Sequence, residues 1–93
     1  MYRILFTRPT DCHDLFLATR LTEILYGSQF RTILAESDGK WNLGGQNDWW
    51  LRFHENGNCA VTNRGGFSAE TMDALALVLR EFAGLRDARS VPV

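Results

Sequence analysis

The sequence predicts an α+β domain in which an antiparallel sheet carries two helices on one face. Three observations lead there. Two stretches space their apolar residues at helical intervals, the segments between them and before them alternate in the manner of strands, and two polar-Gly pairs, Asp38-Gly39 and Asn56-Gly57, fall where alternating segments would turn back on themselves. The expected order is β-α-β-β-β-β-α.

"YRILFT", Tyr2 to Thr7, has the β-branched and aromatic content of a short strand, and Pro9 stops it. "TDCHDLFLATRLTEILYG" follows as a helix from about Asp11 to Tyr26, with Thr10 or Asp11 as N-cap and Gly27 as terminator. Leu17, Ala18, Leu21, Ile24 and Leu25 share one face of it, while Phe16 projects on the polar side among His13, Arg20 and Glu23.

"FRTILAESDGKWNL" and "WWLRFHENGNCAVTN" read as two hairpins joined by Gly44-Gly45-Gln46-Asn47 into a meander. In the second, a three-residue loop from Glu55 to Gly57, with Gly57 left-handed, pairs Phe53 with Cys59 and Leu51 with Val61. A two-residue loop would mix polar and apolar side chains on both faces, so the three-residue register is the expected one. Applied to the first hairpin, the same rule pairs Ile33 with Leu43, Ala35 with Trp41, and Glu36 with Lys40 as opposite charges.

"SAETMDALALVLREFAG" closes the domain as a helix from about Ser68 or Ala69 to Ala83, capped by Ser68 and ended by Gly84. Its buried stripe is expected to be Met72, Leu75, Ala76, Leu79, Phe82 and Ala83, with Leu77 apart among acids. The tail "LRDARSVPV" shows no periodicity and reads as coil, so residues 1–85 form the expected domain and 86–93 a C-terminal tail.

A chain of 93 residues, 45% hydrophobic, allows one modest core and no second domain. Ten basic and eleven acidic residues nearly cancel, which gives no overall pull toward nucleic acid or an anionic membrane. Nine of the ten basic residues are arginine, the better interface cation, and only Lys40 is lysine. Two cysteines allow at most one bridge, "MYRILFTRP" lacks the apolar run of a signal peptide, and no segment approaches the roughly 20 apolar residues that cross a bilayer. The expectation is a cytoplasmic protein with reduced thiols and no membrane association.

In "NDWWLRFHENGNCAV" adjacent tryptophans must point to opposite faces of one strand. The expected register sends Trp49, Leu51 and Phe53 toward the helices and Trp50, Arg52, Ala60 and Thr62 away from them, with Arg52 placed to lie against the Trp50 indole. Phe30 and Leu34 are expected to share this open face. Trp50, Arg52, Phe30, Leu34 and Thr62, with Phe16 on the helix, are therefore the candidate partner-binding residues, since contiguous apolar patches mark contact. A second copy of the chain is one occupant such a face would suit.

No catalytic set emerges. Cys12 and His13 are neighbours near a helix start, but adjacent helix positions do not face each other. Cys12, His13, His54 and Cys59 lack the paired spacing of a zinc site, and the register separates His54 from Cys59. No cofactor or metal is expected. "NRGGFS" is a Gly-rich turn running into a helix N-terminus, which makes Arg64, Gly65, Gly66 and Ser68 the candidate anion-binding residues, although the spacing is not that of a P-loop or a dinucleotide fingerprint.

From first helix to second, α-β-β-β-α with one further strand, the chain is similar in element order to the double-stranded RNA-binding domain family. That family grips phosphates with lysines at the start of its last helix. Here Ser68 to Ala74, "SAETMDA", hold two acids and no base, so the likeness extends to element order only.

Three function classes follow. The first is a non-enzymatic protein-protein interaction module acting on another protein or complex, one version being a small inhibitor of the kind phages and mobile elements direct at defence machinery, such as anti-CRISPR proteins. The second is a single-stranded nucleic-acid-binding module using Trp50, Arg3, Arg31 and Arg52. An enzyme using Cys12 ranks last.

Overall fold

Alternation in "WWLRF" and "NCAVTN" decides the sheet. In the computed structural model, which describes residues 1–26, 35–37 (backbone), 40–43 and 49–93, the elements are β1 (Tyr2–Thr7), α1 (Asp14–Tyr26), β2 (Ala35–Ser37), β3 (Lys40–Leu43), β4 (Trp49–Phe53), β5 (Asn58–Asn63), α2 (Ala69–Phe82) and β6 (Arg89–Pro92). The six strands form one sheet in the order β2-β3-β4-β5-β1-β6, and every neighbouring pair is antiparallel.

The β4-β5 hairpin takes the three-residue loop that face separation demands. Phe53 pairs with Cys59 and Leu51 with Val61, and Gly57 has φ +85°, a left-handed conformation open to glycine at no steric cost. Trp49, Leu51, Cys59 and Val61 consequently face one way, together with Ile4 and Phe6 of β1 and Leu43 of β3. Against them pack Leu17, Ala18 and Leu21 of α1 and Met72, Ala76 and Leu79 of α2, so both helices lie on this one face. Each fully buried side chain of the Phe6 or Leu51 kind contributes roughly 1.5–3 kcal/mol. The radius of gyration, 12.0 Å, is that of a single compact unit.

α2 begins and ends on the expected residues. Ser68 Oγ accepts the Thr71 N–H at 3.3 Å, Gly84 takes φ +70°, and the Leu85 N–H reaches back to the Leu79 carbonyl at 3.2 Å. Arg20 of α1 donates to the Phe82 carbonyl at 3.1 Å and ties the two helices together.

Four expectations are corrected. The tail is not coil: β6 joins β1 through Tyr2↔Pro92 to Leu5↔Arg89, and Leu85 and Ala88 are buried, so residues 86–93 belong to the domain. "RSVP" carries no alternation because an edge strand at the sheet's end needs little side-chain burial to pair its backbone. α1 starts at Asp14, not about Asp11, since Asp11 sits at φ +60° and the His13 carbonyl accepts the first helical bond, from Leu17 at 3.0 Å. The β2-β3 register is shifted by one, pairing Ala35 with Asn42, Glu36 with Trp41 and Ser37 with Lys40. This register keeps Trp41 on the face of its β4 partner Leu51, and Ile33, expected opposite Leu43, lies outside the described residues. Finally, Phe82 is 65% exposed and lies at the margin of the α2 stripe, which Met72, Ala76 and Leu79 suffice to bury.

Candidate functional site

Turning β4 over by its alternation places Trp50 and Arg52 on the face that no helix covers, and the strand order assembles the rest. Across the sheet, Trp50 stands between Asn42 of β3 and Thr62 of β5, and Arg3 of β1 follows beside Thr62 at the end of its ladder. One row along, Arg52 stands between Lys40 of β3 and Ala60 of β5, with Leu5 of β1 beyond. Ala60 is too short to fill its place in this row, so the larger side chains around it enclose a hollow of ≈ 330 Å³. Arg3, Lys40, Arg52 and His54 line it along with Trp50, Thr62 and Ala60.

The electrostatics of this face differ from those of the whole chain. No described acidic side chain occupies an outward strand position: Asp14 and Glu23 are in α1, Glu70, Asp73 and Glu81 in α2, and Asp11, Glu55 and Asp87 in connections. Among the described residues three arginines pair with acids, Arg8 with Asp14, Arg20 with Glu23 at 3.3 Å and Arg89 with Asp87 at 3.7 Å, while Arg64, Arg80 and Arg86, all outside the strands, do not. Among the described residues, Arg3, Lys40 and Arg52 have no acidic partner, and the Nε–H of Arg3 is covered without an acceptor. The chain's net charge of −1 is thus divided, among the described residues, between cations on the open sheet face and a net acidic helical layer behind it.

Of the expected partner-binding residues, the structure brings Trp50, Arg52 and Thr62 together. Phe30 and Leu34 lie outside the described residues, as does Arg31. Phe16 is 67% exposed, but on α1, in the layer behind the sheet, so it belongs to a different surface. The guanidinium stack among the described residues is Arg8 over Phe53, at 4.5 Å, rather than Arg52 over Trp50. Lys40 and His54 were missed as site residues. The expected Glu36–Lys40 pairing is one residue out of register, and the partner of Lys40 in β2 is Ser37.

The Gly-rich turn uses its own donors. Asn63 Oδ1 accepts the Gly65 N–H at 2.7 Å, the Asn63 carbonyl accepts that of Gly66 at 3.3 Å, and Ser68 caps α2. A Cβ on Gly65 would stand 3.0 Å from Asn63 Oδ1, so a larger residue there would push the Asn63 side chain aside. Arg64 projects into solvent, and Phe67 packs on Trp49 with ring centroids 5.5 Å apart.

The two cysteines lie in different surroundings. Cys12 precedes α1 instead of lying in its first turn, and its thiol donates weakly to the His13 carbonyl at 3.7 Å. Cys59 is buried in the core, and that burial pushes its thiol pKa up to about 11. No group of three or more His, Cys, Asp or Glu among the described residues has the geometry to hold a metal ion. No helix among the described residues is long and apolar enough to cross a membrane. Comparison with family models, curated proteins and solved structures finds no match for this chain.

Proposed function

We propose that this chain is a non-enzymatic binding module that holds an anionic macromolecular partner on its open sheet face. The observation that carries this reading is the gathering of Arg3, Lys40 and Arg52 around Trp50 with no acidic partner among the described residues, on a face from which the described acids are absent. Cations without a counter-charge gain when a partner supplies one, most of all where a donor such as the Arg3 Nε–H is already covered, while Trp50 adds apolar area at the centre of the contact. The module acts by occupying its partner, which is how a small inhibitor of a larger complex works. Two free thiols suit a cytoplasmic setting.

The test is retention on an immobilised polyanion such as heparin at neutral pH and low salt. A protein of pI ≈ 6.1 with evenly mixed charge would pass through. This one should be retained, and Lys40→Gln combined with Arg52→Gln should release it. Passage of the unmodified protein in the void volume would remove the basis of the proposal.

A further inference from the structure

We infer that the anionic partner is single-stranded nucleic acid, an inference that rests on the anion-binding reading above. The deciding feature is Trp50. A carboxylate-rich protein segment uses an aromatic plane only where it also supplies an apolar side chain, whereas a nucleic acid strand presents a base and a phosphate in turn and uses both along its length. Trp50 stands on the second of three consecutive strands, β3, β4 and β5, with Lys40 and Arg52 one row along and Arg3 roughly 10 Å away across two strand spacings. A base stacked on the partly exposed indole leaves the neighbouring phosphates within reach of long side chains one row along and, from Arg3, two strands across. Thr62, beside Trp50, offers a hydroxyl that donates or accepts at a base edge or sugar.

Single strands are favoured over duplex by the same geometry. Paired bases are stacked on one another and cannot lie on an indole, and the phosphates of a duplex meet only the cations of a sheet. The acidic residues of α1 and α2 lie behind the sheet and confine the nucleic acid to this one face. Affinity comes from one stack and three charges, so the strand is engaged with little sequence preference.

Fluorescence polarisation of the full chain with three labelled probes tests this: an oligothymidylate of about 12 nucleotides, a duplex of about the same length, and a polyglutamate peptide. The oligothymidylate should bind most tightly and quench the part of the tryptophan emission that Trp50→Phe alters. Neutralising three phosphates predicts an affinity that falls about 20-fold between about 50 and 200 mM salt. Trp50→Ala should weaken binding roughly tenfold or more, with Trp50→Phe restoring part of it. Arg52→Gln, at an exposed position, should lower the salt slope by about 0.7, a change that loss of packing would not produce. Binding of the oligonucleotide that ignores Trp50→Ala, or duplex binding of equal strength, would overturn the inference. Polyglutamate bound as tightly as oligothymidylate would overturn it while leaving the anion-binding reading in place. Failure of all three probes to bind would end both.

Discussion

Asp87 clamps the end of β1: its carboxylate accepts the Thr7 backbone N–H at 2.9 Å through Oδ1 and 3.1 Å through Oδ2, and the Thr7 hydroxyl donates to it as well. Arg80 of α2 reaches the Ala88 carbonyl at 2.7 Å, one residue further on. Together these bonds bring the chain off α2 and set Arg89–Pro92 beside β1 as the sixth strand.

The hydrogen bond from the Thr7 hydroxyl, then that from its backbone, holds the Asp87 carboxyl below its ordinary pKa of 3.8. A carboxylate with a depressed folded-state value stabilises the fold above its unfolded pKa, and that contribution is lost as pH falls through the folded value. Asp87→Asn should therefore lower Tm by a few degrees at neutral pH, and the gap from the unmodified protein should close as the pH drops below about 3.8. Thermal melts of both proteins across the acid range make the comparison. A gap that stays constant with pH would mean the carboxylate charge is irrelevant to the clamp.

The two adjacent tryptophans should behave oppositely. Trp49 is 8% exposed and its ring meets Phe67, so Trp49→Ala should cost about 3–5 kcal/mol in a denaturant titration. Trp50→Ala should cost under about 1 kcal/mol, because the indole is only half-buried against the sheet. Equal losses would place both rings in the core.

The thiols should differ in reactivity. Burial raises the Cys59 pKa to about 11, which removes thiolate at neutral pH and blocks access, whereas Cys12 is only partly covered. A thiol reagent should modify one site in the folded protein, Cys12, and a second only on unfolding. Peptide mapping after labelling identifies the site, and rapid labelling of Cys59 would contradict its place in the core. Neither a reductant nor a chelator is expected to move Tm.

At the β4-β5 turn, Gly57→Ala forces a side chain into φ +85° with nothing within 4 Å for its Cβ to strike. The cost is thus backbone strain alone, about 1–2 kcal/mol, and Gly57→Asn should recover part of it. A neutral Gly57→Ala in a denaturant titration would argue for a different loop.

Much of the fold was legible because local patterns carry it. The Ser68 cap, Gly84 stop and apolar stripe mark α2 without reference to anything distant, and the β4-β5 register follows from requiring Phe53, Leu51, Cys59 and Val61 to share a face. Trp49 inward and Trp50 outward come from the same requirement. α1 was legible in its body and not at its start, because a left-handed Asp11 has no signature in composition.

By itself, then, the sequence determined the α+β class, both helices, the second hairpin's register and the outward face of Trp50, all of which depend on residues within a turn or a hairpin of each other. Tertiary structure alone decided the rest. Pairing of Arg89–Pro92 with β1 joins the two ends of the chain through backbone hydrogen bonds, which are nearly blind to side-chain identity. The site is likewise a product of strand order: Lys40 and Arg52 meet across the β3-β4 pair, and Arg3, far away in the chain, joins them because β5 lies between β4 and β1. Charge in this protein nearly cancels as a sum, yet the described side chains of the open face are basic, since a sum over sequence has no sidedness and a sheet has two faces.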